Sequence, residues 1–320
     1  MTKHKILKIF GLLLVAGLLF AALPTGQAQA ADIPVACTGS GDTALLQAAI
    51  DGASDGDNIL VSGTCVLDSG ITVGKAVTLD GGGSAKIQVS GTGYRITMTT
   101  AGATLKGFDI EKTDKTGVQD IIYIAANNVT ISNNKIHGQF VIGDGDVSRA
   151  MVTSGGYSGV TISNNEIYDL RQPAYISGVI TGDITNNYTY RTKGWVLEEG
   201  DMTFTGNTWG TGANANVFDI AILSLVSPSY YTDVPAMSAA NNNAFIEDQR
   251  GSVKLLTPVY VDASAPACSS DCGTARAPYN KIQDGIDRVI PGGTVHVAAG
   301  TYQESKGGWR DLEIFKSLNL

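Results

Sequence analysis

Two short segments bring tyrosine and basic residues together in the same order. "YDLR" contains Tyr168 and Arg171, and "YRTK", 22 residues later, contains Tyr190, Arg191 and Lys193. A tyrosine ring can pack against a sugar ring, and guanidinium and ammonium groups pair with carboxylates. A lysine or tyrosine could also act as a base while an arginine stabilises an enolate-like anion. Side by side, these residues would suit an acidic sugar.

The same residues also have a purely structural interpretation. When the segments are aligned on the asparagines of a repeated phrase, their side chains fall into three columns. The columns are His137–Tyr168–Tyr190, Asp169–Arg191 and Arg171–Lys193. An aromatic ladder with an Asp169–Arg191 surface ion pair would need no ligand, and such ion pairs are common and stabilise little. We favour this interpretation and keep a sugar site at Tyr168, Arg171, Tyr190, Arg191 and Lys193 as the alternative.

The elements that position these columns are indicated by the repeated phrase itself. "VTISNNKI" at Val129–Ile136 returns as "VTISNNEI" at Val160–Ile167. The apolar residue before the polar turn recurs in weaker copies, at steps of 20 to 31 residues. Its members are Leu79, Leu105, Ile131, Ile162, Ile184 and Phe204. Alternating β-branched residues followed by an Asn or Gly turn, repeated at this period, predict an all-β parallel β-helix.

Stacked coils would give the asparagines of the turn a common role. Neighbouring strands lie about 4.8 Å apart, so equivalent amides in successive coils can hydrogen-bond to one another. This predicts a ladder of Asn134, Asn165, Asn187 and Asn207. The segment Gly138–Gly159 is longer than a coil requires and predicts a protruding loop.

Residues 1–30 combine three lysines, an apolar run and an Ala-x-Ala site, which is typical of a secretory signal peptide. An uncleaved membrane anchor is the alternative for this segment. Cleavage would leave 19 basic against 30 acidic residues, a net charge of −11. Such a surface repels nucleic acid and anionic lipid. We therefore expect a secreted or cell-surface protein with no nucleic-acid partner and no membrane span after cleavage.

The sequence pattern expected for the N-terminal end of the stack occurs twice in the chain. Apolar residues from Leu45 to Ala53 have amphipathic helical spacing, with Asp42 or Thr43 as the expected N-cap, and predict a helix capping the N-terminal end. Near the C-terminus "QDGID" and "GGTVHV" repeat the "QAAID" and "GDNILV" of that region. We therefore expect a β-helix over 31–225, a linker or irregular flank over 226–276, and a truncated second β-helix over 277–320.

Four cysteines allow three disulfide pairings. Cys37 and Cys65 flank the first cap, whereas Cys268 and Cys272 precede the second copy, in which Tyr302 stands where a partner equivalent to Cys65 would be. Because Cys272 has no such partner downstream, we predict the pairs Cys37–Cys65 and Cys268–Cys272.

The cap segment "LLQAAIDGASDGDNILVSGT", the "TISNN" coils and "GNTWGTGAN" with "ANVFDIAI" resemble secreted right-handed parallel β-helix repeat proteins of the pectin-lyase-like superfamily. The resemblance implies a right-handed fold, but relatives include lyases, hydrolases, epimerases and proteins with no known reaction. The motifs of polygalacturonases are absent here, and "RQPAYI" keeps only part of a pectate lyase motif.

These observations favour a structural, polysaccharide-binding or adhesive module without a cofactor, and with an extracellular polysaccharide as its partner. A polysaccharide lyase acting on an acidic glycan is the alternative, and a segment of a large adhesin is a third. Asp144 and Asp146 in "GDGDVS" lack the further acids of a calcium loop. They are expected at a solvated loop tip, with calcium as the alternative, and no metal site is predicted.

Overall fold

A computed structural model describes residues 30–115, 120–304 and 311–320. The chain divides into residues 1–31 and a compact unit over residues 32–320. The predicted signal peptide lies outside the described residues, apart from Ala30. Within the described part, no helix has the length and apolar character needed to cross a membrane.

The described part of the compact unit consists mainly of short strands, with three α-helices and one 3-10 turn at Gly212–Asn214. The helices are α1 Asp42–Gly52, α2 Val234–Ala240 and α3 Ile282–Arg288. The strands are β1 Asp32–Thr38, β2 Asn58–Leu67, β3 Ile71–Val73, β4 Thr78–Val89, β5 Ile96–Met98, β6 Thr104–Lys112, β7 Asp120–Ile124, β8 Thr130–Ser132, β9 Lys135–His137, β10 Arg149–Ser154, β11 Val160–Ser163, β12 Glu166–Tyr168, β13 Gln172–Ser177, β14 Thr181–Thr185, β15 Tyr188–Tyr190, β16 Trp195–Leu197, β17 Asp201–Thr205, β18 Thr208–Trp209, β19 Ile220–Ile222, β20 Ile246–Asp248, β21 Leu255–Thr257, β22 Val259–Val261 and β23 Val295–Val297.

The strands stack as a parallel β-solenoid of about nine turns, which confirms the predicted fold class. A first sheet of 12 strands contains the long strands β1, β2, β4 and β6, and each later coil contributes two shorter strands that meet at a corner. A second sheet of nine strands closes the coils on another side and includes β7, β10 and β13. The hand of the solenoid stays a prediction.

The predicted register is confirmed at each of its six members. Leu79 pairs with Leu105, Leu105 with Ile131, and the series continues through Ile162 and Ile184 to Phe204. It also extends backwards, because Leu79 pairs with Ile59 and Ile59 with Ile33. The six predicted side chains are buried, so the alternation of apolar residues along each strand places one apolar layer per coil in the core.

At the corner, the asparagine ladder satisfies every polar atom of its amides. Asn165 shows the pattern: its amide nitrogen donates to Ile131 O at 2.9 Å and to Asn187 Oδ1 at 3.0 Å. Its own oxygen accepts from the backbone nitrogen and the amide nitrogen of Asn134. The pattern repeats through Asn207, and it continues beyond the predicted members to Asn241 at the C-terminal end of α2.

The residue before each ladder position makes the turn. Asn133, Asn164 and Asn186 have φ angles of 55°, 55° and 56°, and Gly206 takes the same place with φ 69°. Asparagine and glycine tolerate this left-handed backbone region better than other residues. The "NN" doublet therefore divides two roles, with the first residue turning the chain and the second joining the coils.

Helix α1 lies where the sequence predicts a helix. Leu46 and Ile50 are buried, and the helix contacts β1, β2 and β3, whereas Leu45 is 43% exposed. The predicted N-cap at Asp42 or Thr43 is wrong, because the N-cap is Gly41. The Asp42 carboxylate instead accepts bonds from backbone nitrogens of residues 38, 39 and 66, which fixes the start of the helix to two strands.

The segment over 226–276 contributes to the stack as well as to its flank. β20 pairs in parallel with β19, and β21 continues the second sheet as an antiparallel strand. The two-stranded pair β22–β23 forms a separate sheet over a small second core. The proposed division at residues 225 and 277 stays a prediction.

The two sequence copies of the cap region make the same hydrogen bonds. Gln47 donates to Asp51 at 2.8 Å and exchanges two bonds with the backbone of Thr72. Gln283 donates to Asp287 at 2.7 Å and exchanges two bonds with the backbone of Glu313. In each copy the helix is thus fastened to a later backbone segment through one glutamine.

Both predicted disulfide pairs are bonded. Cys37–Cys65 joins the neighbouring strands β1 and β2, and Cys268–Cys272 closes a local loop. No described cysteine is free.

The asparagine doublet gives a matched pair of variants. Asn165→Ala removes the Oδ1 that accepts from the backbone and amide nitrogens of Asn134, and the Nδ2 that donates to the Ile131 carbonyl and to Asn187 Oδ1. Each buried unsatisfied group costs about 1–3 kcal/mol, so we expect the free energy of unfolding to fall by about 3 kcal/mol or more in chemical denaturation.

The control is Asn164→Gly, because Asn164 is exposed and has positive φ. Glycine adopts that backbone without strain, so the change is expected to stay within about 1 kcal/mol. Equal effects of the two variants would show that the ladder bonds are not what stabilises the corner.

Candidate functional site

The predicted aromatic column is present on the outer face of the first sheet. His137, Tyr168 and Tyr190 lie at equivalent positions of β9, β12 and β15. Their rings stack with centroid distances of 4.9 and 4.7 Å and interplanar angles of 3° and 7°. The spacing of the coils thus sets the spacing of the rings.

This stacking decides which part of each ring a ligand can reach. Tyr168 lies between His137 and Tyr190, so both of its faces are covered by neighbouring rings. Tyr190 is also in contact with the tilted ring of Tyr188 at 4.8 Å. The column therefore offers ring edges and hydroxyl groups to a ligand rather than an open face for a sugar ring.

Carboxylates hold the ends of the column. His137 Nε2 lies 2.8 Å from Asp109 Oδ1, and the Tyr190 hydroxyl donates to Glu166 Oε1 at 2.8 Å. Burial, followed by the bond to Glu166, raises the pKa of Tyr190 well above its usual value. Tyr190 is therefore a poor general base at neutral pH.

Arg191 is held by a bidentate ion pair with Asp169. Its Nε and Nη2 atoms each lie 2.6 Å from an oxygen of Asp169, and its Nη1 donates to Asn214 Oδ1 at 3.0 Å. The guanidinium carbon lies 4.6 Å from the centroid of the Tyr190 ring. The predicted Asp169–Arg191 neighbours are thus paired as in the structural interpretation, and Arg191 has little charge left for a ligand.

Arg171 and Lys193 are also adjacent, as predicted, but neither side chain forms an ion pair with a described carboxylate. The backbone nitrogen of Lys193 donates to the Arg171 carbonyl at 2.7 Å. No carboxylate among the described residues forms an ion pair with either side chain, and the buried Arg171 Nε has no hydrogen-bond partner among them. Both cations are half-buried and remain available to a ligand.

The loop beside the column is shorter than Gly138–Gly159, because Arg149–Ser154 is strand β10 and pairs with β7 and β13. In residues 138–148, Phe140 is buried, and its backbone nitrogen donates to the Asp169 carbonyl at 2.9 Å. A groove of about 360 Å³ lies between this loop, Arg191 and Arg276.

Both carboxylates considered for a calcium loop are bonded to neighbouring groups, and Asp146 is buried rather than at the expected solvated loop tip. Asp144 pairs with Lys115 at 2.9 Å, and Asp146 accepts a bond from the Ser148 hydroxyl at 2.6 Å. Over residues 30–115, 120–304 and 311–320, no cluster of three His, Cys, Asp or Glu side chains could hold a metal ion.

A second cavity was not predicted from the sequence. A cleft of about 490 Å³ lies at the end of the stack, lined by Trp209, Phe218 and Asp219 from the last coils and by Tyr260 and Arg276 from the C-terminal region. Trp209 on β18 pairs with Thr189 on β15, the equivalent position one coil earlier. The repeat register could have found Trp209, whereas Tyr260 and Arg276 lie outside the repeats and carry no such signal.

Asp219 is the most perturbed acid next to this cleft. Burial raises its pKa to about 7, although hydrogen bonds from Asn216 and from the backbone of Phe245 act in the opposite direction. Strongly shifted acids concentrate at functional sites but also occur in structural networks. The position of Asp219 beside an open cleft makes it relevant to ligand binding.

Comparisons with models of protein families, with curated proteins and with solved structures find no match to this chain. The fold and the geometry of the site are therefore the basis for a function. They define a parallel β-solenoid with an outer column of stacked rings, two half-buried cations and a cleft at one end.

Asp219 predicts a specific dependence of stability on pH. Because its pKa is raised in the folded state, the native protein binds a proton more tightly than the unfolded chain between about pH 4 and pH 7. The contribution of Asp219 to the free energy of unfolding therefore decreases as pH rises through this window and is constant above it. We expect the difference in stability between the parent and Asp219→Asn to fall by a few kcal/mol, at about 1.4 kcal/mol per pKa unit.

Denaturation of both proteins from pH 4 to pH 8 measures this difference. Asp262→Asn is the control, because hydrogen bonds from Ser264 lower the pKa of this exposed carboxyl. Its difference from the parent should not fall with rising pH. A difference for Asp219→Asn that does not change with pH would mean that Asp219 is ionised throughout.

Proposed function

We propose that this protein is a rigid β-solenoid module, secreted or at the cell surface, that binds an acidic extracellular polysaccharide. The observation that carries the proposal is the adjacent pair Arg171 and Lys193, which has no ion-pair partner among the described residues. Each of these cations follows a ring of the aromatic column by three residues, Arg171 after Tyr168 and Lys193 after Tyr190.

Charge gives the pair its significance. The chain is acidic, with a net charge of −8 before any cleavage. Carboxylates are therefore abundant, and Asp169 neutralises the neighbouring Arg191. Two cations left without a partner on such a chain favour an anionic ligand.

The solenoid also suits a ligand with a repeating structure. Neighbouring strands lie about 4.8 Å apart, so equivalent side chains recur at a constant interval along the stack. A linear polysaccharide lying along the stack would meet groups of the same type at regular distances. Because each contact adds to the others, weak individual contacts can give useful affinity.

The geometry favours binding over a lyase reaction. A lyase needs a base, and the raised pKa of Tyr190 makes this residue unsuitable. Arg191, which could stabilise an enolate-like anion, is held by Asp169. Lys193 and Tyr168 then remain as bases proposed for the column, and a role for Lys193 as a binding group requires fewer assumptions.

An extracellular location is part of the proposal. Its support is the apolar N-terminal segment with an Ala-x-Ala site and the two disulfides, which persist in oxidising compartments.

Lys193→Ala and Arg171→Ala test the proposal on a panel of uronic-acid polysaccharides. We expect each variant to weaken binding by about tenfold or more at low salt, because each removes a charged hydrogen-bond donor. Affinity electrophoresis or calorimetry measures binding, and ultraviolet absorbance of unsaturated products measures turnover.

Lys75→Ala is the matched control, since it removes one positive charge between β3 and β4, several coils before Arg171, and should leave binding unchanged. Turnover that is lost in the site variants would support the lyase instead. Binding that is equal in the parent and both site variants would leave only a structural role for these residues.

A further inference from the structure

The end cleft has the composition of a sugar site. Its volume of about 490 Å³ falls within the roughly 300–1,000 Å³ usual for small-molecule sites. Trp209, Phe218 and Tyr260 contribute aromatic surface, and each is half-buried. Unlike Tyr168, which lies between two other rings, each of these three rings borders the cleft.

Polar groups of the cleft remain available to a ligand. The Tyr260 hydroxyl forms no hydrogen bond with any described residue, although its ring packs against His296 at 5.0 Å. Arg276 is exposed and forms no ion pair within the described ranges, while its Nη2 donates to the Ala213 carbonyl at 3.0 Å. A hydroxyl group and a guanidinium group can therefore reach the same occupant.

Arg276 connects this cleft with the outer column. It lines both the end cleft and the groove that contains Asp169 and Arg191. Residues 212 and 213 lie between the two cavities and accept the bonds from Arg276. A chain bound along the column could therefore continue past Arg276 into the cleft.

We infer that the end cleft is a second sugar subsite, which takes one ring of an acidic oligosaccharide against Trp209 and Tyr260 with the carboxylate of that ring at Arg276. This inference rests on the proposed function. It specifies that the end cleft holds one sugar ring of the bound polysaccharide. Aromatic walls with a few directed polar groups are the usual means of orienting a sugar.

Asp219 in the wall of the cleft is compatible with an anionic ring under mildly acidic conditions. Its raised pKa of about 7 keeps the carboxyl largely protonated below that pH. The groups that face it are the Asn216 amide, the backbone of Phe245 and Tyr260, and Arg276 is the cation of the cleft. Affinity for an acidic ring should therefore decrease as pH rises from 5 to 8.

The test uses the full chain and oligomers of galacturonic, mannuronic and glucuronic acid, from one to six units, in calorimetry at pH 6. Arg276→Gln should weaken binding by about tenfold, and Tyr260→Phe by a smaller factor, because a neutral hydrogen bond contributes less than a charged one. For hexamers, the losses from Arg276→Gln and Lys193→Ala should add in the double variant.

Arg95→Gln is the matched control, since Arg95 also donates to a backbone carbonyl, that of Ser90, and lies far from the cleft in the sequence. Unchanged affinity in Arg276→Gln and Tyr260→Phe at every length, while Lys193→Ala still weakens binding, would overturn the subsite and leave the proposed function standing. If single uronic acids bind and Arg276→Gln abolishes this binding, but no polymer binds, the cleft is a sugar site and the proposed function fails. Absence of binding by all ligands overturns both.

Discussion

The alignment of the coils from Asn134 onward depends on the stacking of buried asparagine amides at one corner. Each amide uses both its hydrogens and its oxygen, and its partners lie in the coils before and after it. Because an unpaired amide in this position is costly, a slip of one coil by a single residue would break several bonds at once. The ladder therefore fixes not only that the coils stack but also which residues come to lie above one another.

This fixed alignment explains why the outer surface is ordered into columns. Rings stack on rings, and opposite charges meet between neighbouring coils, as in the contact of Arg191 with Asp169. The same alignment limits function, since Tyr168, stacked between His137 and Tyr190, has no face left for a ligand. Binding capacity is thus expected where the repeat is interrupted, at unpaired cations and at the end of the stack.

The sequence predicts those parts of the structure that repeat. The register from Leu79 to Phe204, the ladder asparagines and the ring column could be predicted because one alignment determines all of them. The end cleft could not, because Tyr260 and Arg276 reach it from a segment without repeats. The role of Asp42 could not be predicted either. Its carboxylate accepts bonds from backbone nitrogens on two strands, and the local sequence pattern of a helix does not indicate such contacts.

The disulfide between Cys37 and Cys65 makes the two ends of the solenoid differ in their resistance to unfolding. A stack in which each coil contacts only its neighbours opens from its ends, since an end coil has a neighbour on one side alone. The covalent bond fastens the first two strands of the first sheet to each other, so strand β1 cannot peel away freely from β2. Under tension or heat, the coils then separate preferentially from the opposite end, and the N-terminal coils persist longest as a folded seed for re-forming the stack.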